Sequence, residues 1–309
     1  MPRLKVIFCG SGEFGLPTLR SLVDAHEVIH VFSQPDRPAG RGRKLTPTPI
    51  AQFALERNLP LTRTADLNVE PLPPADVMVV IAFGPKIARH VVNHPRLGSV
   101  NLHSSRLPKY RGAAPINWAV INGDATTGNS VIRLAEKMDA GAVLGQSELP
   151  ILELETAGEL HDRLSTDGVS LMARVLADLA TGGAVEREQD HALASVAPKL
   201  SREKSALDWT APPSAVANQI RGMYPWPGCR VELLADSGDP QRVTLVRARP
   251  ATAGIGPPGT ILPSGAVAVG GGSIEVVELQ PEGKRPMPLT AYKNGRPWTT
   301  GMRVVSITS

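Results

Sequence analysis

Asn101 and His103 stand two residues apart in the run Ser99-Val100-Asn101-Leu102-His103, just before Ser104-Ser105-Arg106-Leu107-Pro108. On an extended strand, residues two apart share a face. One strand end would therefore present an amide and an imidazole side by side. A carboxylate, Asp139 in Met138-Asp139-Ala140-Gly141, follows the next strand-like run. An amide, an imidazole and a carboxylate suffice for acyl transfer to an amine without a metal or a covalent intermediate. The amide donates to an oxyanion, and the imidazole moves protons between the attacking and leaving nitrogens. The carboxylate, if beside the ring, fixes its orientation. Taken alone, an Asn-x-His pair is more often structural than catalytic, and a polar strand end is only a site candidate. The other histidines (His26, His30, His90, His94, His161, His191) lack a comparable neighbourhood and read as surface or loop residues.

The elements that must carry these residues are legible from hydrophobic patterning. Leu4–Phe8, Val28–Phe32, Val100–His103, Ser130–Leu134 and Val143–Gln146 read as strands. Asp76–Ala82 is the clearest, a β-branched run of the kind buried in a parallel sheet covered on both faces. Pro17–Val23, Ile50–Arg57 and Pro115–Val120 fit helices. A longer helix is marked by Leu160, Leu164, Leu171, Val175 and Leu179 and stopped by Gly182-Gly183. Strands alternating with helices predict a doubly wound α/β domain. After about residue 185 the texture changes. Ala197–Pro213 reads as a linker and domain entry. The short strands Cys229–Leu234, Arg242–Ala248, Gly259–Leu262, Ala266–Val269 and Ser273–Leu279 then predict a small β-barrel or sandwich.

Composition narrows the class. The 309 residues are 42% hydrophobic and 20% charged, with no apolar run near the ~20 residues of a membrane span. The start of the chain shows no signal-peptide pattern, which predicts a cytoplasmic protein with no membrane partner. Cys9 and Cys229 make no disulfide framework, and no His/Cys cluster predicts a metal. The formal charge of +4 is weak evidence for a nucleic-acid partner, and its placement says more. Gln34–Lys44 sets Arg37, Arg41, Arg43 and Lys44 against the single acid Asp36 in a long Gly/Pro-containing loop, suited to a phosphate backbone or merely solvated. Gly10-Ser11-Gly12-Glu13-Phe14-Gly15 matches the dinucleotide pattern GxGxxG. It serves equally as a tight strand-to-helix turn, and no strand-end acid completes the fingerprint. Phe83-Gly84 ends the strongest strand, where ligands bind in open α/β sheets, although a simple turn fits as well.

Several segments together resemble the bacterial-type methionyl-tRNA formyltransferase family. They are Phe32-Ser33-Gln34-Pro35-Asp36-Arg37-Pro38-Ala39-Gly40-Arg41-Gly42, Asn101-Leu102-His103, Leu107-Pro108-Lys109-Tyr110-Arg111-Gly112-Ala113-Ala114-Pro115-Ile116, Asn122-Gly123-Asp124 and Met138-Asp139-Ala140-Gly141. Lys199-Leu200-Ser201, Pro225-Trp226-Pro227 and Leu279-Gln280-Pro281-Glu282-Gly283-Lys284 extend the likeness over the whole chain. The resemblance implies an α/β Rossmann-like formyltransferase domain with a parallel-rich sheet over residues 1–190. A linker at 191–207 and a small C-terminal OB-like β-barrel at 208–309 would follow. It implies formyl transfer from 10-formyltetrahydrofolate, without a metal, to the α-amine of initiator methionyl-tRNA, by a monomer. Asn101 would hold the oxyanion, His103 would transfer protons and Asp139 would support it. The folate would lie on Ser105, Arg106, Leu107, Pro108, Phe83 and Gly84. Arg37, Arg41, Arg43 and Lys44 would meet the tRNA, with Arg242, Arg247, Arg249, Lys284, Arg285, Lys293 and Arg296 of the barrel adding phosphate contacts. Two positions depart from the family pattern: Arg106 replaces a leucine, and Ala142 replaces an acid. The alternative is another 10-formyltetrahydrofolate enzyme, a deformylating hydrolase or a small-amine formyltransferase. Neither would need the basic loop.

Overall fold

A computed structural model describes residues 2–39, 42, 44–235 and 239–307. The chain forms two compact units. The first comprises Met1–Gly112, Gly128–Leu149 and His161–Val196; the second comprises Ala113–Thr127, Pro150–Leu160 and Ala197–Ser309.

The first unit is built on a seven-stranded sheet. Its strands are β1 (Lys5–Gly10), β2 (Glu27–Ser33), β3 (Leu61–Arg63), β4 (Val77–Ile81), β5 (Ser99–His103), β6 (Ser130–Arg133) and β7 (Val143–Gln146), in the order β7-β6-β5-β4-β1-β2-β3. The strands from β5 to β3 run parallel, whereas β6 and β7 join antiparallel. The continuous apolar run of β4 lies at the centre, with Val77, Met78, Val79 and Ile81 fully buried, as a strand covered on both faces must be. Helices α1 (Leu16–Ala25) and α2 (Pro49–Glu56) both open on proline in the first turn, where its missing N–H costs nothing. Thr48 caps α2 by accepting from the Ala51 N–H.

The long helix α3 (Ala157–Thr181) approaches the sheet closely where Gly168 meets Leu102; a Cβ at 168 would lie 2.5 Å from the leucine Cδ2. Leu102 therefore faces α3. Asn101 and His103 face the other way, on the side that carries Ile7, Cys9, Met78 and Val80. The glycines of the Gly10–Gly15 turn have a packing reason. A Cβ at Gly10 would lie 2.9 Å from the Ile81 carbonyl, and one at Gly15 would lie 3.2 Å from the Phe8 ring.

The described parts of the basic segment are paired. Arg37–Ala39 pairs antiparallel with Lys44–Thr46, aligning Arg37 with Thr46 and Pro38 with Leu45. Asp36 pairs with Arg63 at 2.7 Å.

In the second unit, β8 (Cys229–Leu234), β9 (Gln241–Ala251), β10 (Val267–Val269), β11 (Gly272–Pro281) and β12 (Arg303–Ser306) form an antiparallel sheet ordered β10-β11-β9-β8-β12. Gly259–Leu262, read from sequence as a strand, makes single bridges to both edges, Ile261 to Val267 and Thr260 to Arg303. These contacts nearly close the sheet into a barrel. Helix α4 (Pro213–Met223) follows the domain-entry segment, where the sequence reading placed no element; its Val216, Ala217, Ile220 and Met223 join the barrel core.

Candidate active site

His103 ends β5 and is 6% exposed. Its ring is held between two groups. Nε2 lies 2.9 Å from the Tyr110 carbonyl oxygen. A carbonyl only accepts, so Nε2 carries the proton of this bond. Nδ1 faces Asp139 Oδ1 at 3.6 Å, and both side chains are nearly buried. The other carboxylate oxygen of Asp139 accepts the Gly112 N–H at 2.9 Å. The imidazole and carboxylate expected from the sequence are thus adjacent.

Asp139 does not sit at a strand end. β6 runs antiparallel to β5, pairing Ser130 with His103 and Arg133 with Val100. The connection after Arg133 therefore starts three residues, about 10 Å, back along β5 from His103. It must fold over the sheet to bring its carboxylate to the ring. Two features hold it there. Asp139 adopts φ +52°, uncommon for a residue with a side chain. Gly141 packs so tightly on the Arg133 carbonyl that a Cβ would lie 1.9 Å from the oxygen.

Asn101 lies between Val80 and Ile132 in the sheet. It is partly exposed, and among the described residues its amide has no hydrogen-bond partner. A free amide on the same strand face as His103 is available to an oxyanion.

The Ser105–Pro108 segment folds as a tight polar turn. Ser105 Oγ donates to the Lys109 carbonyl at 2.6 Å, and the Ser105 carbonyl accepts from Ser130 Oγ at 2.6 Å. The Leu107 N–H donates to Ser130 Oγ at 3.0 Å, and the Leu107 carbonyl accepts from Gln146 at 2.8 Å. Ser105 and Leu107 are buried, and the Leu107–Pro108 peptide is cis. The Arg106 guanidinium pairs with Glu148 in a half-exposed ion pair.

At the end of β4, Ala82 and Gly84 both have positive φ, so the chain turns sharply around the buried Phe83. Gln34 Nε2 donates to the Phe83 carbonyl, and Gln34 Oε1 accepts from Arg37. Arg37 is thereby tied to the turn beside β4. β4 and β5 are parallel neighbours, so Phe83-Gly84 and His103 leave the sheet at the same edge, where ligands bind in open α/β sheets. Lys44 is exposed on the ribbon. Arg41 and Arg43 lie outside the described residues.

Several residues that organise the site carried no sequence signal. Arg111 stood in a quoted motif without a role, yet it is buried and donates to Gln189. Gln189 in turn donates to the carbonyls of Asp139 and Gly141 at 2.8 Å each. In the barrel, Arg242, Arg247 and Arg249 are ion-paired to Glu232, to Glu159 and Glu278, and to Glu275. These three cations are already engaged by carboxylates.

Comparison with known proteins decides the family. Residues 3–176 match the formyl transferase model, and residues 199–297 match its C-terminal domain model. The chain is 39% identical to the methionyl-tRNA formyltransferase of Moorella thermoacetica, over 96% of this chain and 98% of that protein. It is 40% identical to that of a Methylobacterium species, over 97% and 99%. The chain belongs to the formyl transferase family, among the methionyl-tRNA formyltransferases. It is accordingly an enzyme, a one-carbon group transferase. Solved structures share the fold. WlaRD, a sugar 3N-formyl transferase, superposes with a TM-score of 0.66 at 17% identity, covering 92% of this chain and all of that one. HypX from Aquifex aeolicus, solved with tetrahydrofolic acid, gives 0.61 at 16% identity, over 94% of this chain and 47% of that chain.

Proposed function

We propose that this enzyme transfers the formyl group of 10-formyltetrahydrofolate to the free α-amine of methionyl-initiator tRNA, with Asn101, His103 and Asp139 as its catalytic residues. The observation that carries the reading is the geometry around His103: a buried imidazole 3.6 Å from the Asp139 carboxylate, with the unpartnered Asn101 amide on the same strand face. When bound, the folate supplies the formyl carbon and leaves as an amine that needs one proton.

The residues present fit that demand. Asn101 donates to the formyl oxygen as negative charge develops on it. The attacking nitrogen must shed a proton, and the departing nitrogen must gain one. The His103–Asp139 pair takes the first at Asp139 Oδ1 or His103 Nδ1 and returns it to the second. Asp139, anchored by the Gly112 N–H, holds its free oxygen toward the ring. Ser105, Leu107 and Pro108 with the Phe83-Gly84 backbone form the folate wall, and Arg106 stands at its rim. Arg37, Arg41, Arg43 and Lys44 present the charge that meets the tRNA phosphates. The chemistry needs no metal. No described helix is long and apolar enough to cross a membrane; the reading is of a cytoplasmic enzyme acting as a monomer.

The test is formyl transfer by the purified protein from 10-formyltetrahydrofolate to methionyl-initiator tRNA, with free methionine and a no-tRNA control. Formylation of the charged tRNA alone is expected. Formate release without tRNA formylation would assign the hydrolase alternative and withdraw the tRNA roles.

A further inference from the structure

Both groups that hold His103 are themselves held by one later segment of chain, Arg187–Ser195. The segment begins as an antiparallel bridge, with Arg187 and Val143 exchanging N–H···O bonds of 2.8 and 2.9 Å. It then crosses the Asp139 connection. Gln189 is buried, and its partners fix which way its amide points. Arg111 only donates, so its Nε and Nη2, at 3.1 and 2.6 Å, meet the Gln189 oxygen. Carbonyls only accept, so the Gln189 Nε2 donates to Asp139 and Gly141, each at 2.8 Å. Two residues later His191 Nδ1 accepts from Arg111 Nη2 at 2.9 Å. Finally Ser195 Oγ accepts the Tyr110 N–H at 2.9 Å, and the Ser195 carbonyl accepts the Arg111 N–H at 2.8 Å.

Asp139 faces His103 Nδ1, and the Tyr110 carbonyl accepts from His103 Nε2. Both residues sit at positive φ, +52° and +63°. Such conformations persist in residues with side chains only when surrounding bonds over-determine them. Gln189 supplies those bonds for Asp139, and Ser195 supplies them for Tyr110. The segment lies between the two family matches, which end at 176 and resume at 199.

We infer that Arg187–Ser195 is a strap of the catalytic unit, and that Gln189 and Ser195 are positioning residues that set the His103 ring between Asp139 and Tyr110. The inference rests on His103 being the proton-transfer residue of the proposed function. Neither positioning residue touches substrate; both act through the main chain of the residues that hold His103. Arg111 keeps the Gln189 amide oriented by meeting its buried oxygen, and His191 accepts a further N–H from the same guanidinium.

The decisive variant is Gln189→Glu. It keeps an acceptor for Arg111 but replaces the donor to the two carbonyls with an oxygen that repels them. Ser195→Ala is its counterpart, removing the hydroxyl on Tyr110 while leaving the main-chain bond to Arg111. Ser195→Thr keeps the hydroxyl and should restore function. Two readouts separate positioning from stability: steady-state formylation, and the ring 15N resonances of His103, assigned with His103→Gln. Gln189→Glu is expected to lower kcat at least about tenfold. The KM for the formyl donor should stay within about twofold, the His103 resonances should move, and the melting temperature should hold within a few degrees. Unchanged His103 resonances and unchanged kcat in both Gln189→Glu and Ser195→Ala would overturn the inference. So would a loss of kcat that merely tracks the unfolded fraction. If Gln189→Glu does not fold, Ser195→Ala against Ser195→Thr decides. If the wild-type protein formylates nothing, the proposed function falls, and the ring resonances alone decide the strap.

Discussion

Gly141→Ala is the sharpest single perturbation of the catalytic connection. Gly141 does not have a positive φ, so its backbone conformation is open to alanine. Space is the obstacle. An added Cβ would lie 1.9 Å from the Arg133 carbonyl oxygen and 2.9 Å from its carbon. An ordinary carbon–oxygen contact is about 3.3 Å or longer, so the two must separate by about 1.4 Å. Neither side is a flexible side chain. Arg133 is paired in the sheet with Val100, and its N–H donates to the Ala142 carbonyl at 2.9 Å. The connection is therefore the part that moves, carrying Asp139 with it. Overpacking of this kind costs about 1–3 kcal/mol, or roughly 1.5–5 °C in melting temperature, at about 1.5 °C per kcal/mol for a chain of 309 residues. A displacement of about 1 Å at a catalytic group costs about 10²-fold in rate. The assay is formylation of methionyl-tRNA at saturating formyl donor, beside thermal unfolding. A variant with kcat within threefold of wild type would refute the claim that the close approach of Gly141 to Arg133 fixes Asp139.

The remaining predictions follow from groups already placed. Asn101→Ala and His103→Gln should each lower kcat by about 10²–10³-fold with little change in tRNA affinity, because their contacts strengthen in the transition state; parallel loss of binding in a filter assay would reassign them to ground-state contacts. Arg106→Leu should leave the KM for the formyl donor within about threefold, since its guanidinium is engaged by Glu148 and an exposed pair contributes little; a tenfold rise would show that Arg106 exchanges Glu148 for the donor. In the second unit, the hydrogen bonds from Arg247 hold the Glu159 carboxyl down to about 2 from an ordinary 4.5. A depressed carboxylate stabilises the fold above its ordinary range, and that contribution disappears as pH falls from about 4.5 to about 2. Glu159→Gln should flatten acid unfolding in this window and cost about 1 kcal/mol at neutral pH, discounted because Glu159 is half exposed; an unchanged acid limb in circular dichroism would refute it. Cys9 and Cys229 are fully buried, and burial pushes both thiols far above their ordinary range, so neither should react with an aromatic disulfide reagent until the protein is unfolded.

What could be read from the sequence divides along physical lines. The central strands were visible because burial on both faces demands continuous β-branched runs, as in Val77–Ile81. Val143–Gln146 and Cys229–Leu234 were placed to the residue. Asn101 and His103 were legible because strand periodicity places them on one face. The edge strand Leu61–Arg63 was not, since three half-exposed residues carry no periodicity. The pairing of Arg37–Ala39 with Lys44–Thr46 was masked by glycine and arginine, which read as loop. Helix Pro213–Met223 hid behind Pro212 and Pro213, although prolines at a helix start are favourable rather than disruptive. His26, read as a surface residue, is buried and accepts the Leu4 N–H at Nδ1. Gln189 and Ser195 were invisible for a deeper reason. Their partners are main-chain atoms some 50 and 85 residues away in sequence, and no side-chain pattern encodes a bond to a distant carbonyl.

The same distinction separates the parts of the catalytic site by how they fail. Asn101 is mounted on an interior strand, between Val80 and Ile132, and cannot shift unless the sheet does. Its proposed role, holding charge on an oxygen, needs that rigidity, because a preorganised donor stabilises developing charge without reorganising. Asp139 is mounted on a connection that starts at the far end of β5 and reaches His103 only through backbone placed at φ +52° and secured by Gln189. On the proposed roles, damage to the connection therefore leaves Asn101 and the Ser105–Pro108 turn in place and impairs proton transfer alone. Variants of Gly141 and Gln189 should lose kcat while KM for the formyl donor stays near wild type, whereas variants that disturb the Ser105–Ser130–Gln146 bonds should raise KM first. Measuring both constants across these two groups of variants tests whether the site is one rigid unit or a fixed donor facing a separately fastened proton relay. A uniform response in the two groups would exclude the second arrangement.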